Sequence, residues 1–134
     1  MIDLKLPLYY QSSAKKKVLY SLNQFLIPLG TEAKRNTFHQ YKAKKDLMKR
    51  VTKMVKRLKP IKNFPVQVTL TIFRPSDHPM DVGNISILEK YATDALVKAG
   101  ILPDDSWKYI DSVTMKMGGI NKENPHAIYH IEEP

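Results

Sequence analysis

Apolar and polar residues alternate in four short segments of this chain. The clearest is residues 66–73, between Pro65 and Pro75, where the aliphatic residues Val66, Val68, Leu70 and Ile72 occupy every second position. Residues 2–10, 107–117 and 126–131 follow the same rule more loosely. Because successive side chains of a strand point to opposite faces, each of these segments is predicted to be a β-strand.

Two longer segments repeat their apolar residues every three or four positions, which predicts helices. The first runs from residue 38 to Pro60, which is expected to end it. Its predicted apolar stripe is Tyr41, Leu47, Met48, Val51, Met54, Val55 and Leu58. The second runs from about residue 82 to 99, with Gly100 in the left-handed position just past its end. Its predicted stripe is Ile85, Leu88, Tyr91, Ala92, Ala95 and Leu96.

The remaining segments are read as connections. Residues 11–17 and 31–37 are predicted to be polar loops, and residues 118–125 a hairpin-type loop between the last two strands. The apolar residues 18–28 could form a strand or a turn of helix. The resulting order is strand, helix, strand, helix, strand, strand, which predicts an α/β fold: residues 1–134 as one domain around one mixed sheet.

Composition narrows the class of protein. The chain has 134 residues and a mass of 15.4 kDa, enough to bury the core of one domain. It contains no cysteine, which excludes disulfides and thiolate metal sites. The sequence shows no signal-peptide pattern and no apolar run near the roughly 20 residues that span a bilayer. We therefore expect a soluble, cytoplasmic protein with no membrane partner.

The formal net charge of +9 is unevenly distributed. Residues 1–75 hold 17 Lys and Arg against three acids, whereas residues 76–134 hold five against ten. The segment 34–62 contains 12 basic residues and one acid, Asp46. The lysines on its predicted outward face are Lys42, Lys45, Lys49, Lys53 and Lys56. A solubilising surface normally mixes both signs, so this density favours binding of nucleic-acid phosphates.

The aromatic residues of the basic segment, Phe38 and Tyr41, lie at positions predicted to be in the core. Stacking on single strands is therefore disfavoured, and recognition of a duplex or branched backbone is preferred. A purely solubilising role of the basic face remains the alternative.

Carboxylates gather in residues 77–105, at both ends of the second predicted helix. Asp81 precedes the helix and Asp104 and Asp105 follow it, an arrangement that could hold Mg²⁺ for phosphodiester chemistry. The helix is about 24 Å long, so Asp81 and Asp105 can converge only if the flanking strands are neighbours. Each residue also has an ordinary alternative: Asp81 as a helix N-cap, the Asp pair as turn residues, and Lys90 with Asp94 as a surface ion pair.

Other kinds of site have less support. His126 and His130 would lie on one face of the last strand, but no third residue has the spacing of a zinc ligand. The chain has no glycine-rich phosphate loop and no serine in the context of a nucleophile. No small-molecule cofactor is therefore expected.

The second half of the chain resembles the RusA family of Holliday-junction resolvases, which is widespread in phages and prophages. The resemblance covers about residues 66–118 and rests on the order of Asp81, Asn84, Lys90, Asp94-Ala95-Leu96, Ala99-Gly100 and Asp104-Asp105. Members of that family are small homodimers that bind four-way DNA junctions and cut symmetrically related strands with Mg²⁺. The first 60 residues match only in general layout.

The resemblance implies roles for individual residues. Asp81 and Asp105 would be metal ligands, with Asn84 as the family's asparagine. Lys90 would approach the scissile phosphate, and Asp94 belongs to the Asp-Ala-Leu motif. Mg²⁺ would be the cofactor and Mn²⁺ a possible substitute. The partners would be four-way junction DNA and a second copy of the chain.

One position departs from the family pattern. Gly83 stands where the family has its second metal-binding aspartate. Water or a neighbouring carboxylate could replace the missing ligand, and Asp104, Asp77 and Asp94 are unranked candidates. Alternatively, Gly83 could ease a tight entry into the helix. Three functions therefore follow: a structure-selective endonuclease, a protein that binds branched DNA without cutting it, and an RNA- or protein-binding factor on the same scaffold.

Overall fold

The computed structural model describes residues 1–13, 16–21 and 31–134, without the side chains of residues 12 and 31–39. Strand β1 spans Ile2–Pro7, β2 Tyr9–Ser13 and β3 Lys16–Leu19, followed by helix α1 at Thr31–Met54. Strand β4 is Val66–Arg74 and leads through a 3-10 turn at Val82–Ile85 to helix α2 at Ser86–Lys98. Strands β5 and β6 are Ile110–Ile120 and His126–Glu132.

Four of these strands form one mixed sheet in the order β1-β6-β4-β5. Strand β4 pairs with β5 in parallel and with β6 antiparallel, and β6 also pairs antiparallel with β1. A separate two-stranded sheet consists of β2 and β3. The fold is therefore the expected single α/β domain with a mixed sheet.

The core lies between the sheet and the helices. Strand β4 buries alternate residues, Val66, Val68, Leu70 and Ile72, as its sequence pattern predicts. All six residues of the stripe predicted for the second helix are buried, five of them on α2 and Ile85 in the 3-10 turn before it. Gly100 has a φ of 80°, so the left-handed position after α2 is also confirmed.

The first helix differs from its prediction in both bounds and orientation. It begins at Thr31 rather than residue 38, so residues 31–37 are not a loop, and it ends at Met54, before Pro60. Its buried stripe is Ala43, Leu47, Val51 and Val55, spaced by four residues. Three residues of the predicted stripe, Tyr41, Met54 and Leu58, are 63%, 45% and 43% exposed.

Two connections were also predicted wrongly. Of residues 11–17, expected as a loop, those that the structure describes belong to strands: 11–13 to β2 and 16–17 to β3. Residues 118–125 do not join neighbouring strands, because β5 continues to Ile120 and β4 lies between β5 and β6. The undecided segment 18–28 lies mostly outside the described residues; its first two residues end β3. Within the described residues, no helix is long and apolar enough to cross a membrane.

Candidate nucleic-acid interface and acidic site

The candidate site is built on the β4-α2-β5 unit. The two strands are parallel neighbours, so α2 is the crossover between them. This meets the condition under which the segments before and after the helix can approach each other. The turn after α2 does return to the helix, and it reaches the middle of it.

Lys90 on α2 is the residue that contacts this turn. Its Nζ lies 2.6 Å from Oδ2 of Asp105 and 3.4 Å from Oδ1 of Asp94. The hydrogen bond between Lys90 and Asp105 holds the pKa of the Asp105 carboxyl below its ordinary value and raises the pKa of the Lys90 ammonium. Thus three of the residues that the sequence analysis singled out are in direct contact.

The fourth member of this cluster was not predicted from the sequence. Lys44 on α1 places its Nζ 3.1 Å from Oδ2 of Asp94 and 5.5 Å from the centre of the Tyr91 ring. Asp94 therefore bridges two lysines from different helices. We call the alternating series Lys44, Asp94, Lys90 and Asp105 the ion-pair chain. It has no net charge and links the basic helix to the acidic turn.

Asp81 and Gly83 lie before α2. Asp81 is exposed, and its side chain makes no capping hydrogen bond; its backbone oxygen instead accepts from the N–H of Asn84. Asp81 therefore occupies the N-cap position of the 3-10 turn, as the alternative predicts, but its carboxylate does not cap the turn. A Cβ added to Gly83 would meet nothing within 4 Å, and Gly83 does not have a positive φ. A steric need for glycine is thus not supported either.

The fit to Mg²⁺ is partial. Exposed carboxylates have the oxygen chemistry that Mg²⁺ prefers, but the described residues contain no group of three or more potential ligands gathered for one ion. Asp105 is already bound by Lys90, and Asp104 Oδ1 accepts a hydrogen bond of 2.8 Å from the Asp105 N–H. In the part of the chain that the structure describes, the carboxylates do not form a three-carboxylate cage. They suit the common alternative, in which one or two carboxylates share the ion with water and a substrate phosphate.

A buried acid lies next to the cluster. Oε1 of Glu89 accepts a hydrogen bond of 2.7 Å from the hydroxyl of Thr93, whose oxygen lies 2.7 Å from the hydroxyl of Tyr129 on β6. Since Thr93 has one hydroxyl proton and directs it to Glu89, Tyr129 donates to Thr93. Burial raises the pKa of Glu89, and the hydrogen bond from Thr93 opposes this shift. The three residues fasten α2 to the sheet through polar contacts.

The basic face of α1 is present as predicted. We call the exposed lysines of this helix and of the turn after it the α1 lysine face: Lys42, Lys45, Lys49, Lys53 and Lys56. The one acid of this region, Asp46, pairs with Arg50 at 3.1 Å. Because Asp46 pairs with Arg50, it neutralises none of the five lysines, and the α1 lysine face keeps its positive charge.

Exposed aromatic rings are a feature that the sequence analysis did not find. Trp107 is 81% exposed and Tyr41 63%. Trp107 was assigned to a strand that actually begins at Ile110, and Tyr41 to a buried stripe. Stacking on nucleic-acid bases was disfavoured because the aromatic residues were expected in the core. Exposed rings remove that objection.

The two histidines of β6 have structural contacts. Nδ1 of His130 lies 2.6 Å from Oδ1 of Asp3 on β1, and the ring of His126 stacks on Phe73 at 4.7 Å between centroids. These contacts account for both residues without a zinc ion.

A scan against models of known protein families matched none, and a search of curated proteins also gave no significant match.

Proposed function

We propose that this protein is an endonuclease of the RusA type that cuts branched DNA, four-way junctions above all, during recombination and repair. The observation that carries the proposal is the ion-pair chain. In it Lys90 contacts both Asp94 and Asp105, and the resemblance marks all three residues. Through Lys44 it also joins them to the helix that bears the α1 lysine face.

In this proposal the two halves of the molecule divide the work. The α1 lysine face binds the phosphates of the DNA arms and releases counterions. Lys90 contacts the scissile phosphate, and Asp94 and Asp105 orient its side chain beforehand. A phosphate that takes Lys90 as its partner frees the Asp105 carboxylate. Substrate binding thus uncovers a carboxylate that is neutralised in the free protein.

Asp81 and Asp105 are the proposed Mg²⁺ ligands, with Asp104 beside them. When bound, Mg²⁺ would polarise the phosphodiester and lower the pKa of an attacking water. Mn²⁺ would serve as a substitute. The proposal places the protein in a bacterial or phage-infected cytoplasm, where such DNA occurs.

A second function is favoured by the carboxylate count. With glycine at position 83 and no three-carboxylate group among the described residues, the protein would bind branched DNA without cutting it. The α1 lysine face would act as before, and the ion-pair chain would only join the two helices.

Cleavage of an end-labelled four-way junction tests both functions. The native protein, Gly83→Asp and Asp105→Asn are compared in Mg²⁺, Mn²⁺ and EDTA, with Gly83→Ala as the matched control. Open space around Gly83 makes both substitutions there compatible with the fold. The nuclease predicts paired symmetric nicks by the native protein and by Gly83→Ala, lost in EDTA and in Asp105→Asn.

The other outcomes are distinct. Cutting by Gly83→Asp alone selects the non-cutting binder. Equal affinity for junction and linear duplex, with no cutting by any variant, contradicts both functions. Displacement of junction DNA by RNA in a competition assay would point to an RNA-binding factor instead.

We also propose that the protein acts as a homodimer, as the resemblance implies and as would match the symmetry of a four-way junction. The outer edge of β5 supports this, because in the described part of the chain β4 is its one strand partner. Its residues Val113 and Met117, in register with buried residues of β4, are 44% and 43% exposed. Long, apolar, unpaired edges pair readily with another strand.

The charges of β5 restrict that pairing. Its charged residues are Asp111 and Lys116, so an antiparallel pair with its two-fold axis at either one would place like charges opposite each other. An axis at Met115 avoids this and pairs Val113 with the partner's Met117.

A further inference from the structure

Trp107 is the chain's one tryptophan, and it lies on a turn that leaves its ring in water. Tryptophan is rarely left this exposed, because its ring offers a large apolar area to bury. In the sequence Trp107 is two residues after Asp105, which ends the ion-pair chain. Its exposure is therefore next to the proposed DNA-binding residues rather than remote from them.

The turn that carries the ring is fixed on both sides. Before it, Asp105 is held by Lys90. After it, the N–H groups of Tyr109 and Ile110 donate to the oxygen of Ser106 at 2.9 and 3.0 Å. The backbone oxygen of Tyr109 accepts a hydrogen bond from the Val66 N–H at 2.8 Å. The Tyr109 ring packs edge-on against the Phe64 ring at 5.1 Å between centroids.

A rigid turn presents an aromatic ring at low entropic cost to whatever binds it. The charges around it indicate the chemistry of the ligand. Lys108 is adjacent and exposed, and Lys90 belongs to the neighbouring cluster with its side chain 58% exposed. A ligand that combines negative charge with flat π-surfaces fits this pairing of ring and lysines, and nucleic acid with accessible bases has both.

We propose that Trp107 stacks on an unpaired base of the DNA that this protein binds, an inference that rests on the proposed function. A paired base inside a duplex has both faces covered by its neighbours. Stacking on Trp107 therefore selects single strands and branch points with open bases over continuous duplex. This gives the protein a basis for structure selectivity that the α1 lysine face, which contacts phosphates of any DNA, does not have.

The single tryptophan makes the test direct. Emission of the full-length native protein, and its quenching by acrylamide, are recorded with a single strand, with a blunt duplex of equal length, and with a branched DNA carrying unpaired bases at its branch point. We expect the first and third to quench the emission and protect the ring from acrylamide, and the duplex to do neither.

Affinities of Trp107→Ala and Trp107→Phe, measured by anisotropy of labelled DNA, complete the test. Loss of one stacked base should weaken binding of the single strand and of the branched DNA roughly 5- to 150-fold in Trp107→Ala. Trp107→Phe should recover most of the loss, and duplex affinity should not change. The ratio of native to Trp107→Ala affinity should persist at higher salt, because stacking releases no counterions.

The negative outcomes separate the two proposals. If Trp107→Ala binds single strands and branched DNA as tightly as the native protein, the stacking inference is overturned and DNA binding stands. If the native protein binds none of the three DNAs, both are overturned. If acrylamide protection rises with protein concentration in the absence of DNA, the ring packs against a second copy and the stacking inference is overturned.

Discussion

The ammonium of Lys90 and the carboxylate of Asp105 are in contact at 2.6 Å, although the two residues are 15 positions apart in sequence. The contact joins the middle of α2 to the turn that follows it. Because both groups are partly exposed, the pair stabilises the fold only modestly, by about 1 kcal/mol or less. Its larger consequence concerns the charge available to a phosphate or a cation at this point.

The ion pair of Lys90 and Asp105 should make the stability difference between the native protein and Asp105→Asn depend on pH. Lys90 lowers the pKa of Asp105, so the contribution of the pair is present above the ordinary pKa of an aspartate and is lost as the pH falls through the lowered value. Urea unfolding of native protein and Asp105→Asn from pH 7 downward should show the gap between them narrowing to zero. A gap that stays constant with pH would mean that Asp105 stabilises the turn through its shape rather than its charge.

Glu89 should show the opposite dependence. Burial raises its pKa, so the folded state is most favoured while Glu89 is protonated, and this contribution is lost as the pH rises from the unfolded value through the folded one. Glu89→Gln keeps an acceptor for Thr93 and removes the charge. We expect it to be more stable than the native protein at pH 8 and no more stable at pH 4, as measured by thermal unfolding. Glu123→Gln, at an exposed position, serves as the control and should show no such trend.

Gly118 should tolerate no side chain, in contrast to Gly83. A Cβ at Gly118 would lie 2.6 Å from both Phe73 Cζ and Thr71 Cγ2, and the Phe73 ring is held in place by its stack on His126. Gly118→Ala should lower the free energy of unfolding by about 1–3 kcal/mol through overpacking. Gly83→Ala should leave it unchanged or raise it by up to about 1 kcal/mol, since it restricts the unfolded chain. Equal values for the two variants in urea unfolding would contradict this contrast.

The α1 lysine face should determine the salt dependence of DNA binding. Each phosphate contact contributes about 0.9 to the slope of log K against log salt on duplex DNA. Lys49→Gln should therefore reduce that slope by about one, measured by anisotropy between low and moderate salt. Lys122→Gln, in the loop after β5, is the matched control and should leave the slope unchanged.

Pairing of β5 with its copy can be trapped, because the chain has no cysteine of its own. A residue on the two-fold axis lies opposite itself, within reach of a disulfide. Met115→Cys should give a crosslinked dimer under mild oxidation, whereas Lys116→Cys should not. If none of the single-cysteine variants from Val113 to Met117 crosslinks while light scattering still reports a dimer, the interface lies elsewhere.

Sequence periodicity predicted best the elements whose large apolar residues face one side. Residues such as Leu88 and Leu96 marked the buried face of α2 without ambiguity. On α1 the buried stripe includes the small residue Ala43, which a search for large apolar residues passes over, and the predicted stripe included Tyr41 instead, which lies on the surface. The beginning of α1 was missed because residues 31–37 are mostly polar and give periodicity little to detect.

The site was predictable in part. Spacing revealed the i,i+4 pair of Lys90 and Asp94, and the resemblance placed Asp105 near them. The contact of Lys44 with Asp94 joins residues 50 positions apart, and only tertiary packing creates it. Strand order was likewise not predictable from the sequence. A short loop such as residues 118–125 is typical of a hairpin, yet β4 lies between the two strands, β5 and β6, that this loop connects.

The place of β6 between β1 and β4 has a consequence for how the chain folds during synthesis. The strands made first and fourth have no direct contact in the sheet, and both bind to the strand made last. The β4-α2-β5 unit can assemble from local contacts, whereas β1 must wait for the pairing that closes the longest loop. We expect amides of β4 to gain protection before those of β1 in pulsed hydrogen exchange, and the reverse order would refute this. Until β6 leaves the ribosome, one edge of β4 is an open site for misassembly.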